Sequence, residues 1–310
     1  MCGTSGGGIG TVPSAARLTN RLHQVVSDQE RSEYKAQVND FLAEVLREAN
    51  VRDADATNRH LETVRQALQG LLEDSIELRF GGSVSKHTYV DGLSDVDLLV
   101  VLSRDTAVDS SPKDLIADFA NALHERLPNS DVETGAMSVK VRFGDGTELQ
   151  LLPAFKVGDG FRIPRFRGET WSDVIRPREF AARLSEVNQR NAAKVVPVVK
   201  LYKIAQERMP EATRLTGYHV EAIAVDAFKD YSGSLEQREM FLHLARTASR
   251  VTESPLVETT GQATYVDTYL GPAGSAERIR ASENIKRMVT RLEGANERCE
   301  LNDWYEAFSG

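Results

Sequence analysis

The run FGGSVSKHTYVDGLSDVDLLVVL, Phe80 to Leu102, restricts this chain more than any other stretch. A Gly-Gly-Ser turn ending at Ser83 stands twelve positions ahead of Asp95, the first member of an Asp-x-Asp pair completed by Asp97. The second aspartate runs directly into apolar sequence, as a buried strand would. Residues two apart on a strand leave the same face, so the carboxylates of Asp95 and Asp97 are expected side by side. Two adjacent negative charges are costly unless a dication sits between them, and magnesium prefers such hard oxygen ligands together with substrate phosphates. Gly81 and Gly82 let the backbone approach a phosphate, whose oxygens can accept from backbone N–H groups and from the Ser83 hydroxyl. Lys86 and Thr88 are close enough in sequence to assist. The layout fits a site that holds a nucleoside triphosphate by its phosphates and two Mg2+ ions (Mn2+ as a substitute) by Asp95 and Asp97. That is the requirement of in-line nucleotidyl transfer.

The bulk numbers leave room for such a site. A chain of 310 residues, 41% apolar and 27% charged, can build one large domain or two lobes. No apolar run reaches the roughly 20 residues of a membrane helix. Residues 1–14 are Gly-, Ser- and Thr-rich without a signal-peptide layout, which reads as a flexible tail on a cytoplasmic protein. Two cysteines, Cys2 and Cys299, exclude a disulfide framework, and no zinc spacing is present. The net charge of −8 argues against extended nucleic-acid binding. Arg162, Arg165, Arg167, Arg176 and Arg178 form a local basic patch, either a solvated face or a wall of the triphosphate site.

Periodicity gives the organisation. Tyr34, Val38, Phe41, Leu42, Val45 and Leu46 recur at helical spacing, as do Leu61, Val64, Leu68, Leu71 and Leu72. A short strand over Ile76–Phe80 leads into the glycine turn. Ser111-Pro112 with Asp114 opens a helix carrying Leu115, Phe119, Leu123 and Leu127. Alternating residues on either side of Gly144-Asp145-Gly146 make a β-hairpin, Ser138–Phe143 against Thr147–Leu152. Beyond Arg178 the strand signal fades. Ala181–Met209 reads as one helix kinked at Pro197, followed by helices over Tyr218–Phe228, Glu236–Thr247, Glu277–Glu293 and Leu301–Phe308. The expected division is a tail over 1–14, a catalytic lobe over 15–190 and a helical lobe over 191–310.

The Gly-Gly-Ser turn followed by Ser94-Asp95-Val96-Asp97 resembles the polymerase-β-like nucleotidyltransferase superfamily. Leu151-Leu152-Pro153-Ala154-Phe155 is similar to the end of that fold's third catalytic strand. Asp159-Gly160-Phe161-Arg162-Ile163-Pro164, Trp171, Lys200-Leu201-Tyr202-Lys203, Gly217-Tyr218-His219-Val220-Glu221, and Ala295 with Trp304 and Phe308 resemble segments of the bacterial cGAS/DncV-like nucleotidyltransferases (CD-NTases). The resemblance covers most of the chain from about residue 30. It implies an α+β, bilobal fold with a mixed-sheet lobe and a helical lobe around a cleft. It implies an enzyme that joins nucleoside triphosphates into cyclic or short linear oligonucleotides, second messengers in anti-phage defence (CBASS) read by a downstream effector. Carried over by position, the resemblance implies that Ser83 binds triphosphate, that Asp95 and Asp97 bind magnesium, that Lys200 contacts the triphosphate tail with Lys203 as a substitute one turn away, and that Tyr218 stacks on a base.

The pattern breaks in two places. The family's third acidic residue falls on Gln150 here. Glu148 lies two residues earlier on the same face, about 6–7 Å away. Either Glu148 supplies the third carboxylate, or Gln150 ligates through its amide oxygen, or the site is impaired. A missing general base costs about 10²–10⁴-fold in rate. Gly217 stands where the family carries a small hydroxyl residue before the tyrosine. Two further readings stay open. Tyr305 or Ser309 could prime a linear, even deoxynucleotide, polymer, or the terminal helix only packs Trp304 and Phe308. Alternatively, the chain is a catalytically weak nucleotide-binding regulator.

Overall fold

The computed structural model describes residues 15–50, 54–69, 77–90, 96–105, 110–165, 169–257 and 266–308. Asp95, Arg167 and Ser309 lie outside them. Among the described residues two long helices come first, α1 (Ala15–Glu48) and α2 (Ala54–Gln69). Then follow β1 (Glu77–Phe80), a single helical turn α3 (Gly82–Ser85), β2 (Val96–Leu102) and α4 (Pro112–Arg126). Strands β3 (Asp131–Thr134), β4 (Val139–Arg142), β5 (Glu148–Val157) and β6 (Gly160–Arg162) complete the sheet. The remainder is helical: α5 (Pro177–Arg190), α6 (Val195–Gln206), α7 (Gly217–Phe228), α8 (Gln237–Val251), α9 (Ala276–Arg298) and α10 (Asn302–Phe308).

The sheet runs in the order β1-β2-β5-β4-β3, with β6 added to the far end of β5. Only β2 and β5 pair in parallel; the other pairs are antiparallel. Alternation sets the two faces. Val96, Leu98, Val100, Leu149 and Leu151 point into a core closed by Val64 and Leu68 of α2 and Phe119 and Leu123 of α4. Asp97 and Gln150 sit on the opposite face. The expected hairpin is present, its turn closed by Phe143 N donating to Thr147 O at 2.9 Å. Ser111 caps α4 as its sequence demands, its Oγ accepting from Asp114 N at 3.1 Å.

A second, larger core holds the helices together. Helices α1 and α5, both N-terminal to the expected boundary at residue 190, contribute Tyr34, Val38, Leu42, Phe180, Leu184 and Val187 to it. Trp304 is fully buried there, and its Nε1 donates to Tyr34 Oη at 3.0 Å. A buried aromatic of this size contributes about 1.5–3 kcal/mol or more of apolar burial.

One expected element is corrected. The helix read over Ala181–Met209 is two helices, α5 and α6, and Pro197 does not kink either. Pro197 falls in the first turn of α6, where a missing N–H costs nothing. The break lies earlier, at Ala192 and Ala193, which take φ 52° and 59°. Asparagine side chains hold it: Asn191 Nδ2 donates to Val187 O (2.8 Å) and Phe228 O (3.0 Å), and Asn188 Oδ1 accepts from Val196 N (2.9 Å). Strand β3 carries too short an alternation, one buried residue in four, to stand out in sequence.

Candidate active site

The cleft's first wall is the open face of the sheet. Gly81 N donates to Asp97 O at 2.8 Å, which fastens the glycine turn to β2. Gly82 takes φ 46°, and a Cβ there would lie 1.5 Å from Asp97 Oδ2, so only glycine fits against the carboxylate. His87, at φ 59°, turns the chain back after α3 so that Thr88 N reaches Ser83 O at 2.9 Å. Ser83 is 9% exposed, and its Oγ has no hydrogen-bond partner among the described residues. Leaving a buried hydroxyl unmatched costs about 1–3 kcal/mol, which a phosphate oxygen would offset.

Across the parallel register Asp97 stands opposite Gln150. The two side chains share a face and both border the cleft. Gln150 Nε2 donates to Ser138 Oγ at 2.8 Å, which turns the amide oxygen to the other side of the carboxamide. An amide oxygen is a hard, neutral ligand that cannot take up a proton at ordinary pH. Glu148 is placed differently. It pairs with Arg142 at 2.5 Å and Lys140 at 3.2 Å, and it is not among the residues that border the cleft.

The second wall is helical and carries the positive charge. Lys203 of α6 donates to Glu221 Oε1 (2.9 Å), Thr88 O (3.1 Å) and Thr88 Oγ1 (3.2 Å). Lys86 pairs with the other oxygen of Glu221, and Thr88 Oγ1 donates to Glu221 Oε1. Lys86 Nζ lies 5.3 Å from the ring centres of both Phe180 and Tyr218, within cation–π range. Burial works to raise the Glu221 carboxyl, but Lys86 and Lys203 more than offset it and hold it below the usual carboxylate range. Burial pulls Lys203 below the usual lysine range, against the opposing pull of Glu221. Two cations thus face one carboxylate. Lys200, one turn earlier, points away to Asn50 at the end of α1 and does not border the cleft.

Between the walls lies a cavity of about 280 Å³ bordered by Gly82, Ser83, Lys86, Asp97, Gln150, Lys203, Gln206, Glu207, Gly217, Tyr218 and Glu221. Gln206, Glu207 and Glu221 were not singled out from sequence. Helical spacing held a signal for two of them, since residues three and four beyond Lys203 share its face. Of the basic patch, Arg165 pairs with Asp173, and Arg176 with Asp159 and Glu179. Neither these nor Arg162 and Arg178 border the cleft. Among the described residues no three His, Cys, Asp or Glu side chains gather as a ready metal cluster. On the sheet wall of the cavity, Asp97 and the Gln150 oxygen are hard donors. No helix among the described residues is long and apolar enough to cross a membrane.

Comparison with known proteins bears on the fold and the family. No protein of curated function matches the sequence. Solved structures match over most of the chain. The Bradyrhizobium diazoefficiens CD-NTase CdnG in complex with GTP is 18% identical, with TM-score 0.67 over 87% of this chain and 94% of that one. CdnC of E. coli MS115-1, solved with ATP, is 16% identical, with TM-score 0.63 over 88% and 98%. DncV of Vibrio cholerae, a cyclic AMP-GMP synthase solved with a linear intermediate, is 11% identical, with TM-score 0.61 over 96% and 92%. At these identities the likeness establishes the α+β nucleotidyltransferase fold. The family model for the Second Messenger Oligonucleotide or Dinucleotide Synthetase domain matches residues 34–188, half of the chain. The chain therefore belongs to that family, the bacterial cGAS/DncV-like nucleotidyltransferases.

Proposed function

We propose that this nucleotidyltransferase joins nucleoside triphosphates, with release of pyrophosphate, into a cyclic or short linear oligonucleotide that signals to an effector in anti-phage defence. The observation that carries the reading is the cleft itself. A buried, unmatched Ser83 hydroxyl and two lysines sharing one carboxylate lie beside Asp97. That is an anion site with a metal ligand at its edge. The donor set suits magnesium, with Asp95 and Asp97 as its carboxylates and the Gln150 oxygen as a neutral third donor. When bound, a metal pair supplies charge neutralisation at the leaving pyrophosphate and activation of the attacking hydroxyl. The chain's own residues do the rest. Ser83 and the Gly82 backbone orient the phosphates, Lys86 and Lys203 bind the triphosphate tail, and Tyr218 offers a face to a base. The relatives CdnC and CdnG, solved with ATP and GTP, support nucleoside triphosphates as substrates.

The test is to incubate purified protein with all eight ribo- and deoxynucleoside triphosphates and Mg2+ or Mn2+, then identify products by mass spectrometry. Free oligonucleotide formed without an acceptor is the expected result, absent from Asp97→Ala. A second reading, a catalytically weak nucleotide-binding regulator, draws on Gln150, which cannot serve as a base. Nucleotide binding with no product under any of these conditions would select it.

A further inference from the structure

We propose that Glu207 reads the base of the nucleotide whose triphosphate lies on Lys203, and that it selects guanine. The proposal rests on the nucleotide-binding reading of the cleft and adds the base. Glu207 ends α6, four residues after Lys203, so the two leave the same face about 6 Å apart along the axis. Lys203 faces the phosphate end, beside Thr88 and Lys86. Glu207 also borders the cavity, one turn of α6 beyond Lys203, within reach of a base attached to the triphosphate through a ribose.

The side chains of Gln206 and Arg214 beside it are already used. Gln206 is buried, and both ends of its amide are taken by Leu215. Nε2 donates to Leu215 O and Oε1 accepts from Leu215 N, each at 3.0 Å. Gly217 has no side chain to offer. Arg214 spends its guanidinium on Glu207 Oε2 (2.5 Å), Glu207 O (2.7 Å) and Met209 O (3.0 Å). That grip holds Oε2 by one of its lone pairs and leaves Oε1 and the other lone pair of Oε2 to accept from a ligand. The Glu207 side chain is 34% exposed, so a base can reach it.

An ionised carboxylate only accepts hydrogen bonds. Guanine presents two adjacent donors, N1–H and the N2 amino group, which a carboxylate takes together. Adenine and cytosine each set one amino donor beside a ring nitrogen whose lone pair repels the carboxylate. Uracil sets one N–H between two carbonyl oxygens. A hydrogen bond to a charged group is worth about 1.5–3 kcal/mol, so guanine is favoured over adenine by roughly 10- to 100-fold.

The experiment measures binding of the full chain, with Mg2+, to α,β-methylene analogues of GTP, ATP, CTP and UTP. Expected is a preference of about 10-fold or more for the guanine analogue in the wild type, collapsing in Glu207→Gln as the guanine constant weakens more than the adenine one. The wild-type comparison needs no variant, and a thermal melt checks that Glu207→Gln is folded. Equal binding of all four analogues, or tighter binding of ATP, overturns the Glu207 assignment while leaving the triphosphate site standing. A guanine preference that survives Glu207→Gln also overturns it, since another group would then be reading the base. If none of the four binds, the triphosphate reading fails and takes this one with it.

Discussion

Two buried ionic clusters involve the helical wall, one open to the cleft and one sealed. One joins Lys86, Lys203, Glu221 and Thr88 and opens on the cleft. The other is sealed: Arg278 binds Asp267 Oδ2 at 2.7 Å, both side chains are 0% exposed, and four further carbonyl contacts use the rest of the guanidinium. His219 lies 3.5 Å from the same carboxylate and meets Tyr269 Oη at 2.9 Å, and that hydroxyl also accepts from Thr216 N at the start of α7. The sealed cluster balances one cation against one anion and leaves the imidazole neutral. In the open cluster two lysines share the one carboxylate of Glu221, and Asp97 acts on Lys203 from the facing wall. Buried charge is normally paired, and two lysines beside the unmatched Ser83 hydroxyl offer an anion in the cavity its partners.

The comparison predicts opposite responses to losing a cation. Arg278→Ala strands Asp267 in the core and is expected to destabilise the protein by roughly 3–5 kcal/mol, read as a fall in the urea midpoint. Lys203→Met leaves Glu221 paired with Lys86, so its urea midpoint should move far less. Its cost falls on ligand binding instead, a loss of about 10-fold or more in affinity for triphosphate analogues. Equal destabilisation by the two substitutions would erase the distinction between a structural and a functional cluster.

Acid offers a third probe, aimed at the sealed cluster. Burial, partly opposed by Asp267 and reinforced by Arg278, pushes the His219 imidazole down to about 4. Its unfolded value is near 6.5. The unfolded chain therefore binds a proton that the folded chain refuses between those values. The stabilisation is complete above pH 6.5 and is lost as the pH falls toward 4, by about 2–3 kcal/mol over the window. Urea midpoints at pH 7.5 and pH 5 check it, and His219→Gln should flatten the difference. A wild-type midpoint that does not fall with pH would mean that His219 is not held neutral.

The sequence carried the sheet wall better than the helical one, for a physical reason. The glycine turn, Asp97 and the strand after it are contiguous, and alternation alone puts Asp97 and Gln150 on one face once β2 and β5 pair in parallel. The helical wall is assembled from residues far apart in the chain. Lys203 meets Thr88 across 115 residues and Glu221 across 18, so their partnership is not local. The choice between Lys200 and Lys203 depended on helix rotation. That rotation follows from the break at Ala192-Ala193, which periodicity had carried through as continuous helix. Glu221 is 1% exposed in a helix whose neighbours Val220, Ile223 and Ala224 are core, so its charge did not stand out from an apolar pattern.

The smallest expected effect separates the two candidates for the missing third carboxylate. Glu148 is held by Arg142 and Lys140 at the start of β5, and it stands opposite Arg142 in the register rather than beside Asp97. A half-exposed pair of this kind is worth about 0–1 kcal/mol. Glu148→Gln should thus change stability little and product formation by less than about threefold, a rate change of under 1 kcal/mol in activation free energy. Gln150→Ala removes a side chain that borders the cleft opposite Asp97 and should cost more in rate than in stability. Initial rates for the two variants under the conditions that give wild-type product decide between them. If Glu148→Gln lost activity as heavily as Asp97→Ala, Glu148 would have to leave Arg142 during turnover and act as the third acid.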